Sequence, residues 1–188
     1  MSTPIAQRLH HTAYVTKDQE ATRAFYEDVL GFKAVVADTL RVKEGGALRH
    51  IFFDVGRDQL IAFMEATDVP GVPHDYDAGI TRGLGVPGVF YHFAFEAGSE
   101  AGLVARRDAL LAKGVKVTEV VDHGWAKSIY FKDPNGISLE YACILRDLTE
   151  DDARMQERGT ITLKALGLDA AGGRELNRVA PARDRVPA

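Results

Sequence analysis

The sequence predicts an α+β fold of paired βαβββ modules, their strands forming a curved mixed sheet. Three observations carry this. The segment IFFDVGRDQLIAF (51–63) overlays IYFKDPNGISLEY (129–141) without a gap, at a constant offset of 78 residues. The runs LHHTAYV (9–15) and YHFAFE (91–96) each hold a histidine near the start of an alternating apolar stretch. After each run comes a helix-like segment closed by a glycine, then further apolar runs in the same order, which is the mark of an internal repeat.

Residues 9–15 alternate as a strand does. Asp18 is an N-cap for the segment 19–30, QEATRAFYEDVL, in which Ala21, Phe25 and Val29 share one helical face. Gly31 supplies the left-handed stop. FKAVVAD (32–38), ALRHIFFDV (47–55) and DQLIAFMEA (58–66) follow as three strands. Residues 67–88 carry several prolines and glycines without a period and read as a linker. The second module repeats the order: a strand at 89–95, a helix over 99–113 closed by Gly114, and strands at 115–121, 127–132 and 137–145, with DPNG (133–136) as a tight turn. The expected organisation is one domain over 8–146, with module one at 8–66 and module two at 89–146. A C-terminal segment, 147–188, follows. There Thr149 and Asp152 cap a helix expected to run to about Arg158, and the end of the Gly-, Ala-, Pro- and Arg-rich tail that starts at Gly167 is expected to be mobile unless a partner subunit holds it.

A chain of 188 residues can bury a sizeable core, and 46% apolar with 27% charged residues is ordinary for a soluble protein. The net charge of −4 argues against nucleic acid as a partner. The single cysteine, Cys143, excludes an intrachain disulfide and a Cys-based zinc site. The N-terminal residues lack the apolar core of a secretory signal, and no apolar run reaches membrane-spanning length, so a cytoplasmic location is expected.

Superposing the two halves puts His11 and His92 on equivalent first strands and sets Glu140 over Ala62. A lone histidine in an amphipathic strand is more often a rim or core residue than a ligand. Three ligand-type side chains at repeat-related positions are a different matter: two imidazoles and one carboxylate on one face of a cation leave about three octahedral positions open, which suits Fe(II) and admits Mn(II), Ni(II) or Zn(II). Adjacent strand residues face opposite sides, so only one of His10 and His11 can point inward; His11 is assigned as the ligand and His10 to solvent. Glu65 lies an odd three positions after Ala62, and strand alternation turns it to the other face.

The segments HHTAYVTKDQEATRAFYEDVLGF (10–32), YHFAFE (91–96) and KSIYFKDPNGISLEY (127–141) resemble the vicinal oxygen chelate superfamily, which includes glyoxalase I, bleomycin-binding proteins, fosfomycin-resistance proteins and extradiol ring-cleaving dioxygenases. The resemblance implies paired modules around a metal cavity, with His11, His92 and Glu140 as metal ligands. Glyoxalase-like members generally take a fourth ligand from the position of Ala62, so the set here is closer to the ring-cleaving branch. That branch also places a tyrosine ten residues before the glutamate, as Tyr130 stands to Glu140. His123 is either the acid/base that ring cleavage needs or an exposed loop histidine, and Trp125 either walls the pocket or packs the loop.

The resemblance thus implies an iron-dependent dioxygenase acting on a catechol-like diol, with Tyr130 and His123 serving the chemistry. The alternatives are a redox-neutral isomerase or thiol transferase on the same metal, or a protein that sequesters a small molecule. A two-module chain of this kind is expected to form a homodimer, bind a small molecule, and leave nucleic acid and membranes alone.

Overall fold

A computed structural model describes residues 9–150 and 152. The first module runs β1 (His11–Val15), α1 (Gln19–Ala24), β2 (Lys33–Arg41), β3 (Ala47–Gly56) and β4 (Gln59–Thr67). The second runs β5 (His92–Glu96), α3 (Glu100–Ala112), β6 (Val121–Asp122), β7 (Ala126–Lys132) and β8 (Ser138–Ile144). Each module has its own four-stranded mixed sheet, ordered β1-β4-β3-β2 and β5-β8-β7-β6. In both, the first strand joins the last in parallel and the other pairs are antiparallel.

Alternation along the strands decides which face is covered. Ile51, Phe53, Ile61 and Phe63 of the first sheet, and Ile129, Phe131, Leu139, Tyr141 and Cys143 of the second, point to the helices and form one buried core. The odd-even partners of these residues, His11, Phe52 and Ala62 in one sheet and His92, Tyr130 and Glu140 in the other, therefore share the opposite face. The two modules meet through ring contacts: Tyr14 lies edge-on to Phe93 at 4.3 Å and Phe32 to Phe95 at 5.0 Å between centroids. The DPNG turn adds a polar clasp. Asn135 accepts from the Thr16 hydroxyl at 2.8 Å and donates to Thr22 Oγ1 at 3.1 Å and to Asp133 Oδ2 at 3.0 Å.

Several boundaries differ from expectation for local reasons. Asp18 caps α1 through the Ala21 amide as expected, but α1 then widens into a π-helical turn over Phe25–Val29, closed by a Leu30 N–H to Phe25 carbonyl bond of 3.1 Å. The wider turn lets the adjacent rings of Phe25 and Tyr26 both enter the core, where Tyr26 stacks on Phe53 at 5.1 Å. The linker is not wholly irregular: it contains α2 (Ile80–Leu84) and a 3-10 turn, Gly88–Phe90. The strand expected over 115–121 is reduced to Val121–Asp122; before it, Thr118 holds Tyr130 through both its amide and its hydroxyl instead of a regular ladder. Thr149 and Asp152 make the expected reciprocal cap, with Asp152 also held by Arg146 at 2.7 Å. The rest of that helix and the tail from Gly167 lie outside the described residues. No described helix is long and apolar enough to cross a membrane.

Candidate functional site

The repeat seen in the sequence is present in the strand register. In the second sheet Glu140 pairs with Ala94 on one side and Tyr130 on the other, and His92 pairs with Ser138. In the first sheet Ala62 pairs with Ala13 and Phe52, and His11 pairs with Leu60. Ala62 thus takes the place of Glu140, and Phe52 that of Tyr130. At these matched positions the second module has a histidine, a carboxylate and a phenol, while the first has a histidine, an alanine and a phenylalanine.

His92, Glu140, Tyr130 and His123 come together. His92 Nε2 lies 2.9 Å from Glu140 Oε2, and its Nδ1 lies 2.8 Å from the Val89 carbonyl. That carbonyl can only accept, so Nδ1 carries a proton and Nε2 is the nitrogen turned to Glu140. Two ligands at about 2.1 Å from a cation in adjacent octahedral positions stand about 3.0 Å apart, so this pair has the spacing of half a metal centre. Glu140 is 6% exposed, and a carboxylate so buried needs a cationic partner. Tyr130 stands beside it, its ring 6.0 Å from that of His92, and its hydroxyl lies 3.0 Å from His123 Nε2. Burial, and next the Glu140 charge, push the Tyr130 phenol up to about 12, which keeps it a proton donor at neutral pH. His123 is therefore in contact with Tyr130, while Trp125 leaves 44% of its surface exposed and gives up its carbonyl to the Leu145 amide.

His11 stands apart. It is exposed at the start of β1, its Nδ1 is 2.7 Å from that of His10, and its ring meets Phe52 edge-on at 5.6 Å. Among the described residues of one chain, no three His, Cys, Asp or Glu side chains are close enough to hold a metal ion. Glu65 lies on the helix side of its strand, where it accepts from the Gln19 amide and from Arg49, both at 3.2 Å.

Two residues of the open face were missed in the sequence. His50 pairs with Met64, two positions along β3 from Phe52; its ring lies 4.2 Å from that of Phe52, its Nδ1 faces Asp38 at 3.8 Å, and its buried Nε2 finds no partner among the described residues. The offset of 78 flags Phe52 by setting it over Tyr130, whereas His50 falls just before the overlaid segment 51–63 and carries no such signal.

A model of the glyoxalase/bleomycin resistance protein/dioxygenase superfamily matches residues 8–141. Among solved structures, an integron cassette protein from the mobile metagenome of the Halifax Harbour sewage outfall is 26% identical, with a TM-score of 0.51 over 74% of this chain and 100% of that one. A lactoylglutathione lyase from Agrobacterium tumefaciens is 23% identical over 73% of this chain and 94% of its own, with a TM-score of 0.51. An antibiotic-binding protein from Streptomyces sp. CB03234 is 16% identical over 76% and 99%, with a TM-score of 0.53. No curated protein matches. The family thus spans enzymes and binding proteins on one fold, and a fold does not choose among them. By the match over 8–141 and the paired βαβββ modules, the chain belongs to the glyoxalase/bleomycin resistance protein/dioxygenase superfamily.

Proposed function

We propose that residues 8–146 act as one domain of a metal-dependent oxygenase that binds a catechol-like diol, and that its cation is held by His92 and Glu140 of one chain with His11 of a second copy in a homodimer. The observation carrying this is the unequal pair of half-sites: His92, Glu140 and Tyr130 in one module answer to His11, Ala62 and Phe52 in the other. Joining one half of each kind gives two imidazoles and one carboxylate, a set that favours Fe(II) and leaves room for a chelating ligand and dioxygen. His11 and the His92–Glu140 pair are separate within one chain, so the partner copy supplies the missing imidazole.

A divalent cation so held supplies Lewis acidity and a template that brings two ligands together. The protein's own groups do the rest. The Val89 carbonyl holds Nδ1, so Nε2, the nitrogen beside Glu140, is the one that would meet the cation. Tyr130, protonated through the neutral range, donates a hydrogen bond to a ligand oxygen beside Glu140. His123, in contact with the phenol, moves a proton between Tyr130 or the substrate and solvent. The half-site from the first module contributes Phe52 and Ala62, an apolar wall against which an aromatic ring can lie. The test is anaerobic metal analysis followed by oxygen uptake with a panel of catechols. Iron with uptake supports the proposal. A tightly held metal with no uptake from any catechol overturns the oxygenase reading in favour of redox-neutral chemistry, and no metal at all favours sequestration.

A further inference from the structure

The open face of the second sheet carries a further row of side chains beside Tyr130 and Glu140. His92 pairs with Ser138 and Ser138 with Lys132, so the three stand side by side across β5, β8 and β7. Alternation turns them to the same face as Tyr130 and Glu140. Ser138 is 7% exposed, and its Oγ has no hydrogen-bond partner among the described residues, yet it is not sealed from solvent. A hydroxyl in that state gains from any ligand atom that reaches it. Lys132 is exposed and forms no ion pair among the described residues. Asp133, next in sequence, is taken up elsewhere, accepting from Asn135 at 3.0 Å and from the Ile137 amide at 2.8 Å.

The turn Gly88–Phe90 closes over this row. A methyl group placed on Gly88 would lie 2.9 Å from Ser138 Oγ and 4.0 Å from Lys132 Cε, so the hydroxyl and the lysine stem meet beside one backbone position. The next residue, Val89, gives its carbonyl to His92 Nδ1 at 2.8 Å. One turn therefore gathers the imidazole, the hydroxyl and the lysine. In the first sheet the matching row reads His11, Leu60 and Asp54, and Asp54 Oδ1 is taken by the Gly56 amide at 2.7 Å. That row offers neither a hydroxyl nor a cation.

We propose that Lys132 and Ser138 seat a carboxylate carried by the substrate, so that the ligand is a catechol carboxylate; this rests on the diol reading above. The diol faces His92 and Glu140 while its acid group points along the row. Ser138 donates one hydrogen bond to the acid group, and the Lys132 ammonium supplies the opposite charge. Glu140, diagonal to Lys132 across the ladder, is matched by the proposed cation, which leaves Lys132 to serve the ligand.

The test is anaerobic calorimetry on the full-length, metal-loaded protein with 2,3-dihydroxybenzoate, 3,4-dihydroxybenzoate and 3,4-dihydroxyphenylacetate, each against its carboxamide. The amide keeps the diol and the shape but lacks the charge. At least one acid is expected to bind about 10–100-fold tighter than its amide. K132Q, at an exposed position, keeps its metal and its affinity for the amides, while the acid falls to the level of its amide. K132R restores part of the preference, and S138A loses about 2–10-fold on the acid alone. E140Q weakens acids and amides together. Acids no tighter than their amides on the wild-type protein, or a preference that survives K132Q, would overturn the carboxylate seat and leave the diol reading standing. Wild-type protein that holds its metal but binds none of the probes would overturn the diol reading, and the seat with it.

Discussion

Replacing Asn135 by Ala cuts the clasp between the turn after β7 and the start of α1. Asn135 is 7% exposed and makes three side-chain hydrogen bonds, to Thr16, Thr22 and Asp133. Thr16 and Thr22 keep each other at 2.8 Å, and Asp133 keeps the Ile137 amide at 2.8 Å, so the loss is partial at each partner. With about 1 kcal/mol for each neutral bond and about 1.5–3 for the bond to the carboxylate, the cost is about 3–5 kcal/mol. At about 2–4 °C per kcal/mol for a chain of this size, the midpoint falls by roughly 6–20 °C. The loss also depends on pH. Burial raises the Asp133 carboxyl above the ordinary carboxylate range, and Asn135 is the largest of the contacts that pull it back. A carboxyl raised in the folded state binds more protons there than in the unfolded chain, so its contribution to stability falls as pH rises through that window and returns on acidification. N135A lifts the carboxyl further. Urea unfolding followed by circular dichroism should therefore show a larger deficit at about pH 7 than at about pH 4. A loss below about 1 kcal/mol, or one equal at both pH values, would refute this account of the clasp.

Other outcomes follow from the same geometry. E140A removes the one carboxylate of the proposed ligand set, so metal content by elemental analysis should fall sharply; full occupancy would sink the assignment. E65A should keep the metal while costing about 1–3 kcal/mol of stability, because Glu65 serves the Gln19 amide and Arg49; loss of metal instead would place Glu65 among the ligands. H123Q should lower kcat about 10²–10⁴-fold with metal content unchanged, and unaltered turnover would remove His123 from the chemistry. A62E restores on the first module the carboxylate that the second carries, and should slow metal release to a chelator; an unchanged release rate would contradict the equivalence of Ala62 and Glu140.

Much of this was legible in the sequence because strand register conserves spacing. The offset of 78 that sets Glu140 over Ala62 also governs the pairs Tyr130–Glu140 and Phe52–Ala62, so one alignment gave both the faces and their inequality. Glu65 could be assigned to the helix side from alternation alone, since nothing in β4 breaks the period around it. What sequence could not supply is separation in space. His11 and His92 are equivalent in the repeat, but equivalence says nothing of whether two copies of a motif face each other in one chain or across two. The segment before Val121 also escaped, because its apolar alternation is that of a strand while Thr118 binds Tyr130 through its side chain and interrupts the ladder. The π-helical turn at Phe25 was hidden for a similar reason: the demand for two neighbouring rings in the core comes from Phe53 and Phe63, which are remote in sequence.

The central claim is that each metal centre joins His11 of one copy to His92 and Glu140 of the other. It is tested by co-expressing H11A and E140A chains with different tags, isolating the mixed dimer, and measuring its metal content against each variant alone. If the centre is shared, the mixed dimer contains one site with all three ligands intact and one with both changes, so it holds roughly one metal per dimer while the separate variants hold almost none. If each centre lies within a single chain, every site in the mixed dimer carries one lesion. A mixed dimer as metal-poor as its parents, or a wild-type protein that is monomeric with metal bound, would contradict the account.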